Sequence, residues 1–252
     1  MGGAHRHLLI HEEGLLHRLP PQCKLAATVL FVFAVVATPR EQFWAFGVQA
    51  GLVVLAARIG GVPLSTVARR LVIEVPFLLF AVLLPILGRD PRVEVLGLSL
   101  SEPGLWAAWN IVVKGTIGVA ASIVLAATTS IPQVLDGLER LRVPRVIVAI
   151  TAFMIRYGDV IGDEVRRMSI ARESRCGRGG RFGQVRALAS TAGTLFVRSY
   201  ERGERVYLAM ESRGYTGTMP VRSITASMQS WMACLLWPAM ATVIAAVAWS
   251  VQ

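Results

Sequence analysis

Two short stretches hold the residues best suited to recognition chemistry. Ala171-Arg172-Glu173-Ser174-Arg175-Cys176 and Ala209-Met210-Glu211-Ser212-Arg213-Gly214 repeat the pattern Ala-x-Glu-Ser-Arg, 38 positions apart. Each sets a small residue, an arginine and a helix-ending residue in succession. A cation at a helix C-terminus interacts favourably with the helix dipole, and a glycine suits the position just beyond it. That ordinary capping role accounts for one copy. Two matched copies, each closing a long amphipathic segment, point further. A guanidinium is planar and always charged, and its fork of donors fits a partner's carboxylates. The chemistry is docking, not bond making.

Other residues able to do chemistry are scattered. His5, His7, His11 and His17 lie beside Glu12 and Glu13 in the first 17 residues. These are metal-ligand types, but a polar terminus that binds metal adventitiously is the simpler reading, with His17 structural. Cys23, Cys176 and Cys234 share no CxxC spacing, so neither a disulfide framework nor a zinc site follows. The stretch "CGRGGRFG" (176–183) lacks the Gly-Lys-Ser/Thr ending of a phosphate-binding loop and reads as a connector. Glu74 and Lys114 lie in or near apolar runs, where ionisable residues are functional candidates by default. Glu74 is four positions from Arg70 and expected to pair with it; Lys114 is expected to line a helix interface. Arg156, Asp159, Asp163 and Glu164 read as members of ion pairs, not as a catalytic carboxylate pair. Gly47 and Gly51 form a GxxxG, a helix-packing pattern.

The elements that position the paired motifs follow from composition. The chain has 252 residues, is 54% hydrophobic and carries a net charge of +10. Of its 26 basic residues 24 are Arg, and sixteen of those lie between Arg140 and Arg222. Soluble domains are about 45–50% apolar, so a membrane protein with one basic face fits better than a basic nucleic-acid binder. A bilayer core takes about 20 mostly apolar helical residues. Five stretches qualify or come close: 25–37, 43–57, 71–87, 105–127 and 231–251. No cleavable signal peptide is read at the start. Arg6, Arg18 and Lys24 precede the first span, and Arg58, Arg69 and Arg70 sit between the second and third. The other loops hold Arg40, or Arg89 and Arg92 offset by Asp90, Glu94 and Glu102. The positive-inside rule therefore puts the N-terminus and everything between the fourth and fifth spans in the cytoplasm.

The organisation expected is N-terminal spans over 1–130, a cytoplasmic-side module over 131–222 and a last span over 228–252. Within the module, "IPQVLDGLERLRVP" (131–144) reads as a short amphipathic helix bounded by prolines. Apolar residues recur at spacings of three and four over 145–175 and, more weakly, 184–213, predicting two long helices with Arg/Glu-rich outer faces. The fold class is an all-α integral membrane protein, with about five transmembrane helices and two or three long cytoplasmic-side helices.

The order "LLHRLPPQCKL" (15–25), four spans, "TTSIPQVLDGLERLRVP" (128–144), "MIRYGDVIGDEVRRM" (154–168), the paired motifs and a last span resembles the transmembrane T component of energy-coupling factor transporters, most of all the cobalt-type CbiQ. The resemblance covers most of the chain. It implies two coupling helices ending in Ala-Arg-Gly-like triplets, whose arginines dock into two ABC ATPase subunits. By position these triplets are Ser174-Arg175-Cys176 and Ser212-Arg213-Gly214, flanked by Ala171, Glu173, Ala209 and Glu211. Here Ser replaces the usual Ala in both, and Cys176 replaces Gly in the first. The resemblance further implies a substrate-binding membrane subunit as partner. ATP and magnesium belong to the ATPases, with no cofactor, metal or catalytic residue on this chain and no nucleic acid among its partners. Cobalt or nickel is the implied cargo; a shared T component for vitamin uptake is the alternative.

Two other function classes fit less well. A membrane-embedded enzyme needs convergent carboxylates, histidines or a nucleophile at one depth, which the first, second and fifth spans lack. A self-contained channel or secondary transporter needs inverted repeats around a midplane site, whereas the repeat here is confined to the two long helices.

Overall fold

In a computed structural model of the chain, residues 15–88, 91–95, 98–174, 181–216 and 226–251 are described, and nearly every apolar run among them is helical. Lipid offers no hydrogen-bond partner to a bare peptide group, so an apolar run that enters it must satisfy its backbone within a helix. Helix α1 (Pro21–Ala37) and helix α2 (Phe43–Ile59) have 17 residues each. Proline at the first turn of α1 costs nothing, because that N–H has no intrahelical acceptor. Helix α3 (Leu64–Arg70), a 3-10 turn (Leu71–Glu74) and helix α4 (Val75–Leu87) form one continuous element. Helices α5 (Glu102–Thr128) and α9 (Met228–Ser250) complete the apolar set. Three of these elements are long and apolar enough to cross a membrane, and α1 and α2 are shorter apolar helices. The all-α membrane fold expected from sequence is the fold observed.

Two details differ from expectation. The third span begins at Leu64 rather than Leu71, so Arg69 and Arg70 lie on a helix instead of in a loop. The 3-10 turn falls where it does because Pro76 has no N–H and its ring disfavours the α-helical carbonyl four residues back. Between α4 and α5 the chain also forms a short antiparallel hairpin, β1 (Arg92–Val95) with β2 (Leu98–Ser101), Arg92 opposite Ser101.

The chain divides into two compact units, Gly3–Leu141 with Ser223–Gln252, and Arg142–Arg222. In the first, α1 packs against α5 and α9, α2 against α5 and α9, and α4 against α5. Phe31, Val35, Phe46, Val53, Ala127 and Ala241 are buried at its centre. Polar side chains close the open ends of helices, whose last carbonyls have no intrahelical donor. Lys24 Nζ donates to the Thr128 carbonyl at 2.9 Å, and Lys114 Nζ to the Val36 carbonyl at 2.7 Å. Trp249 Nε1 donates to the Ala37 carbonyl at 2.9 Å. Lys114 is thus the interface residue that its sequence position suggested, with Phe46 6.0 Å from its ammonium. Glu74 is buried and accepts from Thr116 Oγ1 at 3.1 Å. Its carboxylate occupies the place a side chain at Gly115 would take, since a Cβ there would lie 2.6 Å from Oε1.

Helix α6 (Ile131–Arg140), grouped by sequence with the cytoplasmic-side module, packs on α1. Ser130 and Gln133 form a capping box at its start. Gly137 lets it approach, as a Cβ there would lie 2.6 Å from Leu25 and 3.2 Å from the Gln22 backbone. The helix ends with Arg142 in the left-handed region at φ 67°. The second unit holds the two long helices, α7 (Arg145–Ser174) and α8 (Arg181–Glu211).

Candidate docking site

The arginine-bearing ends are built from their helices outward. Helix α8 closes through paired reverse hydrogen bonds: Gly214 N–H donates to the Glu211 carbonyl and Tyr215 N–H to the Met210 carbonyl, both at 3.0 Å. This is a Schellman closure, with Gly214 at φ 83° as the left-handed residue beyond the cap. Arg213 is therefore the C-cap itself. Its backbone direction is fixed by the closure, its side chain is exposed, and its charge sits where the helix dipole is negative.

The first motif is described only in part. Helix α7 runs through Ala171, Glu173 and Ser174, while Arg175 and Cys176 lie outside the described residues. The motif serines behave alike. Ser174 Oγ donates to the Ile170 carbonyl at 2.9 Å, and Ser212 Oγ to the Ala209 carbonyl at 3.0 Å. Each hydroxyl folds back on its own last turn, so a serine here presents nearly the small profile of an alanine. Tyr207, one turn before the second motif, donates its hydroxyl to Glu211 at 3.3 Å, and the adjacent carboxylate raises the phenol's pKa.

Both helices carry a wide apolar stripe, only part of which meets the other helix. Phe153, Tyr157, Val160 and Ile161 of α7 and Leu195, Val206, Tyr207 and Met210 of α8 line a cavity of about 320 Å³. Phe153 and Tyr157 stack with ring centres 6.2 Å apart. Beyond it the stripe continues in the open: Met154 is 68% and Phe196 72% exposed, with Ile150, Val165 and Tyr200 also uncovered. A polar clasp marks one rim. Glu164 accepts from Arg167 at 2.8 Å on its own helix and from Arg198 on α8. The Arg167 hydrogen bond, followed by that of Arg198, holds the Glu164 carboxyl below the usual carboxylate range. Of the four charged residues singled out on α7, Glu164 is the one that bridges to a described side chain of α8. Arg198 was the missed partner; one helix's periodicity carries no signal for which residue on another will face it.

The remaining sequence candidates do not converge on a site. His17 is described, whereas His5, His7 and His11 lie outside the described residues. Among the described residues no group of three or more His, Cys, Asp or Glu is placed to hold a metal ion. Cys23 and Cys234 are both buried as free thiols in the first unit. Among the described residues nothing lies within 4 Å of a Cβ built on Gly47 or Gly51, so the GxxxG packs against none of the described helices.

A family profile described as CbiQ, cobalt transport protein, matches residues 12–226. An energy-coupling factor transporter transmembrane protein EcfT of Thermanaerovibrio acidaminovorans is 28% identical over 236 residues, covering 86% of each chain. Cobalt transport protein CbiQ of Rhodobacter capsulatus is 29% identical over 143 residues, 57% of this chain and 56% of its own. An uncharacterized protein of Methanocaldococcus jannaschii, MJ1571, is 24% identical over 214 residues, 81% of this chain and 73% of its own.

Proposed function

The chain belongs to the cobalt transport protein CbiQ family, and on that premise we propose that it transmits the motion of two ABC ATPase subunits to a substrate-binding membrane subunit in an energy-coupling factor importer. The observation that carries the proposal is the end of α8. A 31-residue helix finishes in a Schellman closure that fixes Arg213 as an exposed, outward C-cap. A long helix with one rigid charged tip is a lever with a plug.

The mechanism runs through rigid bodies. Arg213 inserts into a groove on one ATPase and Arg175 into a groove on the other, each guanidinium meeting carboxylates or helix-end carbonyls. ATP and magnesium bind at the ATPases, and closure of that pair moves the two tips. The Glu164–Arg198 clasp and the apolar crossing pass this motion between α7 and α8. The uncovered stripe around Met154 and Phe196 is the surface that grips the substrate-binding membrane subunit. The N-terminus and coupling helices lie on the cytoplasmic side, and the spans anchor them. Catalysis stays on the ATPases. Cobalt is the proposed cargo and nickel the nearest alternative, held by the partner subunit.

The test is co-purification of tagged Arg175→Ala and Arg213→Ala variants with the ATPases, alongside uptake of radiolabelled cobalt. Losing one partner of a desolvated charge pair costs about 2–5 kcal/mol, so each variant should lose most bound ATPase while the spans still insert. Wild-type ATPase recovery with normal uptake in both variants would refute the proposal.

A further inference from the structure

A second cavity lies within the first unit. It has a volume of about 480 Å³ and sits where α1 begins, α2 and α5 end and α9 begins. Its body is apolar, with Phe31, Val53, Val124 and Trp237 among its walls. Its polar end is Lys24. Ile59 and Ala233 also line it and are exposed, so it opens on the surface of the unit. On α1 the lining runs from Lys24 to Phe31, about 10 Å along the helix axis at 1.5 Å per residue.

Lys24 is 5% exposed, yet no carboxylate among the described residues answers its charge. Its ammonium makes one hydrogen bond, to the Thr128 carbonyl at 2.9 Å. A buried ammonium without a counter-ion is costly, and buried polar groups are rarely left without partners. The same end of the bundle holds further orphans. Both ring nitrogens of His17, Gln22 Oε1 and Thr129 Oγ1 are buried with no hydrogen-bond partner among the described residues. Gln22 is two residues from Lys24, and Thr129 follows the carbonyl that Lys24 holds. An apolar chamber with, at one end, a cation that no described carboxylate neutralises matches a ligand with an apolar tail and an anionic head.

The geometry points to a structural lipid site: an anionic phospholipid places its phosphate against Lys24 and part of an acyl chain between α1, α2, α5 and α9. The cation supplies the head's countercharge, and the tail fills space that the four helices leave between them. The lipid is then a part of the bundle, bridging the first and last spans.

The test uses the full chain, purified and delipidated in detergent, with phosphatidylglycerol or phosphatidylcholine added at equal concentration. At saturation phosphatidylglycerol should raise Tm by about 5 °C over phosphatidylcholine, as expected for a ligand that binds only the folded state. Lys24→Gln should erase that difference, and Lys24→Arg should keep it. Maleimide labelling gives a readout independent of the variants: phosphatidylglycerol should slow alkylation of Cys234, which lines the cavity, and leave Cys176 unchanged. Equal Tm and equal Cys234 labelling in the two lipids overturn the site. So does a phosphatidylglycerol effect that survives Lys24→Gln. An effect absent from the wild type but present in a Glu12→Gln/Glu13→Gln variant assigns the cavity to the chain's own N-terminal segment and overturns it as well.

Discussion

Glu164 on α7 accepts a hydrogen bond from Arg198 on α8, 34 positions further along, so one carboxylate ties the two long helices together. The same carboxylate holds Arg167 one turn away, and the Arg167 bond contributes most to keeping it ionised. The clasp sits beside an apolar cavity, so the pair of helices is fixed at its rim by charge and at its crossing by Phe153, Val160, Leu195 and Val206.

The clasp is therefore expected to open with acid. Folding depresses the proton affinity of Glu164, so its contribution is complete above the ordinary carboxylate range and is lost as pH falls through the lower, depressed range. Spin labels on exposed positions of α7 and α8 should report one narrow distance at pH 7 that broadens only in strong acid. Glu164→Gln should show the broad distribution already at pH 7. Identical distributions for the two proteins at pH 7 would show that the apolar crossing alone fixes the pair.

The second prediction concerns backbone direction. Gly214 adopts φ 83°, a conformation that disfavours a β-branched residue by about 1–2 kcal/mol. Gly214→Val should unwind the closure, release Arg213 from its fixed direction and reduce ATPase co-purification, although no charge is removed. Gly214→Asn should retain binding, because asparagine tolerates the left-handed region. A valine variant that binds like the parent would mean that the direction of Arg213 is not what the ATPase reads.

How far the sequence carried this reading depended on the range of the interaction. Apolar runs announced the spans, because a helix in lipid is dictated by its own residues. The Arg213-Gly214 end was readable for the same reason, since a Schellman closure is made within six residues. The capping role of Lys24 was not readable: its acceptor, Thr128, lies 104 positions away. Arg198 was missed on the same ground. The start of the third span was misplaced because Arg69 and Arg70 look like loop residues, whereas three-dimensionally they extend a helix begun after Pro63. The second Ala-x-Glu-Ser-Arg copy marked the end of α8, but the direction of Arg213 became clear only with the φ of Gly214.

Lys114 is expected to be a structural lysine. Its ammonium closes the end of α1 through the Val36 carbonyl at 2.7 Å. A hydrogen bond to a charged group is worth about 1.5–3 kcal/mol. Lys114→Met should lower the unfolding free energy of the purified chain by that order, measured by detergent-denaturant titration, with ATPase binding per folded molecule unchanged. Parental stability in the methionine variant would show that another donor, such as the neighbouring Trp249 indole, takes over the carbonyl.

Glycines in the spans should divide sharply by position. At Gly104 a Cβ would lie 2.4 Å from the Leu84 carbonyl oxygen and 2.9 Å from Pro85 Cα, all backbone atoms that cannot rotate away. Gly104→Ala must therefore push α5 off α4, and overpacking of this kind costs about 1–3 kcal/mol. Gly47 and Gly51 face open space instead, with nothing within 4 Å. Alanine there removes backbone freedom from the unfolded chain and favours helix by up to about 1 kcal/mol. Thermal unfolding should thus show Gly104→Ala destabilised and Gly47→Ala/Gly51→Ala unchanged or stabilised. The same double variant also tests what the exposed face of α2 does in the assembled transporter. If its ATPase recovery and uptake match the parent, the GxxxG is only lipid-facing backbone. If stability rises while uptake falls, the two glycines are a contact for a partner chain, because added methyl groups that help the isolated chain can harm only a surface pressed against a partner.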